Sequence, residues 1–198
     1  MAIKTDKTKE KLFTLIKKYA YAEGTFKLSS GKTSSYYIDC RKVTLSSEGA
    51  LLSARLILEC IKNKNIDAIG GPTIGADPLV SAVSVLSLLE NKKPLNAFLV
   101  RKSAKAHGLQ RQIEGPLLKK GCRVAVVDDV ATSGGSLIEA ITALTDAGIK
   151  VVMAIVLVDR NEGAKESLKK IGCELYSFFN IDDFKSTPSC PDKYCTKK

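Results

Sequence analysis

No apolar run in the 198 residues approaches the roughly 20 that a membrane-spanning helix requires. The first stretch, MAIKTDKTKEKLFTLIKKYA, carries Lys, Asp and Glu throughout and so lacks the apolar segment of a secretion signal. Its Leu12, Phe13, Leu15 and Ile16 recur at helical spacing instead. The six cysteines (Cys40, Cys60, Cys122, Cys173, Cys190 and Cys195) include no C-x-x-C pair, and reduced thiols acting as small hydrophobes are the expectation. Cys190 and Cys195 could bind a metal or oxidise together, but no histidine stands near them. Low-complexity segments, internal repeats and Pro/Gly/Ser-rich linkers are also missing. Acidic residues are few beside basic ones, 21 against 31, which leaves a net charge of +10. That balance suits nucleic acid, an acidic surface or small anionic substrates. Much of the excess is lysine at the two ends, as in Lys4, Lys7, Lys9, Lys193 and Lys198, where a solvated surface explains it. A cytoplasmic soluble protein with no nucleic-acid or membrane partner is expected.

What is present is an alternation. After the first helix, EGTFKLSSGKTSSYYIDCRKV places Gly and Ser clusters between short aromatic and β-branched runs, the pattern of hairpin strands. A helix over about Ser46 to Asn63 follows. Apolar runs near Ile66, Asn96, Arg123, Val151 and Glu174 then read as strands, separated by helical segments over Asp77–Glu90, Ser136–Ala147 and Ala164–Ile171. Continuously apolar strands between helices predict an α/β fold, a parallel sheet covered on both faces. Such a sheet holds its ligand at the carboxyl ends of its strands.

One strand end stands out. The run VAVVDDVATSGGS, Val124 to Ser136, is a strand closing on Asp128 and Asp129, then Val130, Ala131, Thr132, Ser133, Gly134 and Gly135, then a helix beginning near Ser136. A helix N-terminus exposes unpaired N–H groups and a positive dipole end, and so attracts phosphate. Two carboxylates beside a phosphate would repel it unless they face another part of the same ligand. The vicinal hydroxyls of a ribose, or a Mg2+ bridging them, fit that need. No Gly-Lys-Ser/Thr closes this loop, so it is not a P-loop, and G-x-G-x-x-G is absent.

The segment resembles the phosphoribosyl pyrophosphate (PRPP) signature of type I phosphoribosyltransferases. That resemblance implies their fold, a parallel Rossmann-like sheet flanked by helices with a small N-terminal hairpin and helix hood. It also implies that Asp128 and Asp129 hold the ribose hydroxyls while Thr132 to Ser136 wrap the phosphate. Further along, FLVRKSAKAHGLQRQIEGPL crowds Arg101, Lys102, Lys105, His107 and Arg111 onto a glycine-containing loop. So many cations are costly to bury without an anion, and a hood closing over pyrophosphate answers that. This stretch resembles the catalytic loop of orotate phosphoribosyltransferases. The resemblance implies that Lys105 and His107 meet the leaving pyrophosphate, that Arg101 binds on the home side, and that Lys102 reaches a neighbouring subunit of a homodimer.

Two more segments agree with that family. TFKLSSGKTSSYYID resembles its orotate-side hairpin, with Ser30, Gly31, Ser34 and Tyr36 in place, and GGPTIGADPLVSAV resembles its pyrophosphate loop, with the amides of Thr73, Ile74, Gly75 and Ala76 facing the diphosphate. The strand end VLVDR offers Arg160, an arginine suited to bidentate pairing with the orotate carboxylate, and the resemblance implies Thr132 as a second orotate-side residue. Taken alone, Arg160 could equally be a surface ion pair. The expected reaction joins PRPP and orotate to give orotidine monophosphate, with Mg2+ held through the substrate and no direct protein ligand. The chain departs from the family's best-known bacterial branch at Ser29, Ile74–Gly75 and Leu109, where that branch carries a lysine, Tyr-Lys and an acid. Pyrophosphate is therefore expected to meet more backbone and fewer side chains here. The alternatives are a purine-type phosphoribosyltransferase and a catalytically silent PRPP-binding regulator. A single domain is expected over 1–198: helix and hairpin over 1–45, the α/β core over 46–184, and a basic tail over 185–198.

Overall fold

The computed structural model describes residues 2–27, 31, 33–90, 94–102 and 112–185. The first helix, α1 (Ala2–Leu15), widens into a π-helical turn over Ile16–Ala20. Leu12 and Ile16 are fully buried, and Phe13 stacks on Phe184 with ring centroids 4.8 Å apart. Lys17 Nζ donates to the Phe184 carbonyl, tying this helix to the far end of the chain. The predicted hairpin is β1 (Tyr21–Lys27) against β2 (Thr33–Ile38), with an irregularity between Glu23 and Phe26. Its base is closed where the Asp39 N–H donates to the Ala20 carbonyl at 2.9 Å. A short helix α2 (Arg41–Thr44) leads to α3 (Ser47–Ile61), two residues shorter at its far end than the apolar spacing suggests.

The five predicted strands form as β3 (Ala68–Pro72), β4 (Asn96–Val100), β6 (Arg123–Ala131), β7 (Lys150–Asp159) and β8 (Leu175–Asn180), all parallel. Between β4 and β6 lies a strand the sequence pattern does not suggest, β5 (Ile113–Glu114), antiparallel on the edge and too short to show alternation. The sheet order is β5-β4-β3-β6-β7-β8. Helices α4 (Ala76–Glu90), α5 (Gly135–Asp146) and α6 (Ala164–Lys170) make the crossovers, and α7 (Ile181–Lys185) follows β8.

Two apolar layers hold the sheet. On β6, Val124 and Val126 pack with Leu137 and Leu144 of α5, while Ala125 and Val127 pack with Leu79 and Val83 of α4. β7 divides the same way, Ala154 and Val156 to one side and Ile155 and Leu157 to the other. Successive strand side chains point to opposite faces, so a strand covered on both must be apolar at every position. That is why the central strands read as unbroken apolar runs.

Two glycines let the layers close on β3. A Cβ on Gly70 would stand 2.3 Å from the buried Phe98 ring, and one on Gly71 would stand 1.9 Å from the Val127 carbonyl oxygen. Cys40, Cys60 and Cys173 are free thiols, as expected; Cys190, Cys195 and the rest of the tail after Lys185 lie outside the described residues. Among the described residues no helix is long and apolar enough to cross a membrane.

Candidate active site

The sheet order fixes where a ligand must sit. From β3 the chain moves outward to β4, whereas from β6 it moves the other way to β7 and β8. The connections leaving β3 and β6 therefore part, and a crevice opens between the carboxyl ends of two adjacent parallel strands. Both ends carry the residues singled out by the sequence: Thr73, Ile74, Gly75 and Ala76 after β3, and Asp128 to Ser136 at the end of β6 and beyond.

These segments are in direct contact. A Cβ added at Gly75 would lie 2.2 Å from Asp128 Oδ1 and 2.5 Å from Asp129 Oδ1, so only a glycine lets the loop and the acids share this space. The Thr73–Ile74 peptide bond is cis, and Ile74 is exposed. Each acid is pinned through backbone: the Asp129 N–H donates to Asp128 Oδ1 at 2.9 Å, and the Val130 N–H donates to Asp129 Oδ1 at 2.8 Å. Burial, followed by the neighbouring Asp129 carboxylate, pushes the Asp128 carboxyl well above the ordinary range. Burial raises Asp129 as well, against its hydrogen bond from Val130 and the nearby Arg41 charge.

Beyond the acids, Ala131 is buried while Thr132 and Ser133 are exposed. Gly134 turns the chain at φ +86°, where a side chain would be strained and would press on Leu168 at 2.7 Å. Helix α5 starts at Gly135, and its first turn holds no acidic residue, so no carboxylate of that turn offsets the positive end of its dipole. Exposed hydroxyls, a close-approach glycine turn and free helix N–H groups together form an anion cradle beside the acids.

Arg101 and Lys102 follow β4 and are both exposed. The Thr73 N–H donates to the Val100 carbonyl at 3.2 Å, so the β4 end borders the Thr73–Ala76 loop. Lys105 and His107, expected from the sequence to be the catalytic pair, lie outside the described residues, as do Ser29, Ser30, Leu109 and Arg111.

On the other flank, the Arg160 N–H donates to the Ala131 carbonyl at 2.9 Å, placing Arg160 next to the cradle. Its side chain is mostly buried and crosses to the hairpin: Nε donates to the Tyr36 hydroxyl at 3.1 Å, and Nη2 lies 2.8 Å from Glu162 Oε1. The ion pair that Arg160 alone suggested is thus present, at the rim of the crevice. Ser34 stays within the hairpin, its Oγ donating to the Tyr36 carbonyl.

Two site residues escaped the sequence reading. Arg41 Nε and Nη2 pair bidentately with Asp39 at 2.8 and 3.0 Å, a contact that holds the Asp39 carboxyl below its usual range. The Asp129 charge in turn helps raise Arg41, which places this pair beside the crevice acids. The one signal was Asp39 at a strand end, the same signature as Asp128. Beneath them the Cys40 thiol is fully buried, and burial with the charges of Asp129, Asp39 and Asp128 pushes it well up. It is an inert floor.

Residues 45–186 match the phosphoribosyl transferase domain family. The orotate phosphoribosyltransferase of Aquifex aeolicus is 44% identical over 178 residues, which is 88% of this chain and 96% of that protein. The chain belongs to the orotate phosphoribosyltransferase family. Solved family structures share the fold. That of the Mycobacterium tuberculosis orotate phosphoribosyltransferase in complex with Fe(III) dicitrate superimposes with a TM-score of 0.78 at 37% identity, covering 89% of this chain and 98% of that one. The same enzyme in complex with 5-phospho-alpha-D-ribosyl 1-diphosphate superimposes with a TM-score of 0.71 at 30% identity, over 89% and 91%.

Proposed function

We propose that the protein transfers the phosphoribosyl group of PRPP to orotate, giving orotidine monophosphate and pyrophosphate in pyrimidine biosynthesis. The observation that carries this reading is the convergence of three strand ends, those of β3, β6 and β7, on one crevice. They bring together a glycine loop, an acid pair with a phosphate cradle, and an arginine. The ribose phosphate seats on Thr132 to Ser136, and its hydroxyls donate to Asp128 and Asp129. The diphosphate lies along the Thr73–Ala76 backbone towards Arg101. The acceptor occupies the opposite flank, with its carboxylate on Arg160 and its ring near Thr132.

In this arrangement the bond from the anomeric carbon to the pyrophosphate oxygen breaks largely before the new bond to the orotate nitrogen forms. The ribose then has oxocarbenium character. What the chain supplies is position and charge: it fixes two anions on opposite sides of one carbon and stabilises the departing one. Arg101, Lys105 and the loop amides take the pyrophosphate charge, and His107 or a water relays the proton. Lys102 serves the neighbouring subunit of a homodimer. The reading covers the whole of residues 1–198 as one domain, and the proposed compartment is the cytoplasm.

Magnesium fits the crevice as a substrate-held ion. Among the described residues no three His, Cys, Asp or Glu side chains stand together at metal-binding spacing, but Asp128 and Asp129 present carboxylates to the ribose side of the ligand. When bound, the ion neutralises diphosphate charge.

The test is a spectrophotometric orotate-depletion assay with PRPP and Mg2+. Depletion of orotate, with purine bases left untouched, is expected. Consumption of a purine base with orotate intact would replace this reading with a purine-type transfer.

A further inference from the structure

We infer that Tyr36 and Glu162 are positioning residues that aim the Arg160 guanidinium and thereby set the preference for a carboxylated base. The inference rests on the proposed pairing of Arg160 with the acceptor's carboxylate. A guanidinium has two forks, the side-on pair Nε and Nη2 and the outer pair Nη1 and Nη2. In this protein the side-on fork is fully taken. Nε donates to the Tyr36 hydroxyl at 3.1 Å, Nη2 sits 2.8 Å from Glu162 Oε1, and the Tyr36 hydroxyl donates to that same Oε1 at 3.2 Å. The three groups close a ring, and the outer fork is what remains for a ligand.

The frame of this ring is rigid where it must be. Tyr36 is buried to 8% exposure, its ring stacks on Tyr21 with centroids 6.2 Å apart, and Lys185 Nζ lies 5.1 Å from the ring centroid. Tyr36 belongs to β2 and Glu162 to the turn after β7, so the ring also rivets the hairpin to the main sheet. The Arg160 side chain is only 14% exposed, so its charge needs a partner when no substrate is bound, and the Glu162 carboxylate supplies one. An arginine ordered at folding does not have to be ordered at binding, and that difference strengthens recognition. A ligand without a carboxylate leaves the outer fork unpaired and is rejected on that account.

The readout is the affinity ratio between orotidine monophosphate and uridine monophosphate, which differ only in the carboxylate. It is measured by calorimetry on the full chain for wild type, Tyr36→Phe, Glu162→Gln and Arg160→Ala. Each positioning variant is expected to cut the ratio by about tenfold, through weaker orotidine monophosphate binding, as follows when a charge-assisted hydrogen bond is misaligned. The KM for orotate should rise in parallel, with a smaller change in kcat. Equal weakening of both nucleotides would show a merely structural role and overturn the inference. An unchanged ratio would do the same, and so would tighter orotidine monophosphate binding by Glu162→Gln, because Glu162 would then be a competitor of the substrate. The two variants lie on different elements, so a folding defect in one leaves the other to decide. If wild type consumes orotate and Arg160→Ala abolishes the ratio while the two positioning variants do not lower it, the inference alone fails. If Arg160→Ala keeps the ratio, the proposed role of Arg160 fails with it.

Discussion

Asp128 is held with its carboxyl pushed well above the ordinary carboxylate range, by burial and by Asp129. The folded protein therefore binds that proton more tightly than the unfolded chain. Between the unfolded and the raised folded pKa the native state carries more protons, so stability falls as pH rises through that window. Above the window both acids are ionised and the penalty is complete. Asp128→Asn is accordingly expected to raise the melting temperature of the ligand-free protein at neutral and higher pH, by roughly 2–4 °C for each ~1 kcal/mol recovered. It should also flatten the dependence of melting temperature on pH and lower kcat/KM for PRPP by about a hundredfold or more. A drop in melting temperature at neutral pH would contradict the sign. These acids were legible in the sequence because strand, acids, loop and helix follow one another within 13 residues, Val124 to Ser136. The contact of Tyr36 with Glu162 was not legible, since 126 positions separate them and the hairpin pattern that holds Tyr36 says nothing of its distant partner.

Among the elements, α3 shows how a boundary is set. Ser46 Oγ accepts from the Gly49 N–H at 3.1 Å, and its hydroxyl donates to the Val43 carbonyl at 2.7 Å, so one side chain closes both α2 and α3. Ser46→Ala should cost about 1 kcal/mol, read as a lower urea midpoint at unchanged m. An unchanged midpoint would mean that the cap contributes nothing here. The helix start at Ser46 was readable from its chemistry, whereas the stop at Ile61 fell two residues before the predicted Asn63, since no glycine or proline marks it. The π-helical turn at Ile16–Ala20 and the two-residue β5 were invisible for a related reason: both are too short for a periodic pattern to repeat within them.

At the scale of the whole molecule the excess of ten positive charges faces a reaction between two anions. A field of that sign raises the local concentration of both substrates and weakens as salt shortens the screening length from about 10 Å at 0.1 M to about 3 Å at 1 M. The apparent KM for PRPP and for orotate should therefore rise several-fold between about 0.05 and 0.5 M salt. A flat profile would assign the excess charge to the chain ends alone. Strand identity was legible from composition, but the adjacency of β3 and β6 is a long-range property, and the crevice exists only because of it.

That adjacency also bears on how the chain is made. β3 sits in the middle of the finished sheet, yet it leaves the ribosome well before β6, the strand that covers one of its edges. Until Val124 to Val126 arrive to pair with Ala68 to Gly70, that edge is open to any passing strand. Its sequence, AIGGP, makes it a poor template: two glycines lack side chains to pair, and Pro72 has no N–H to offer. The glycines that let Phe98 and Val127 close on the finished strand thus also keep the nascent chain from joining its neighbours.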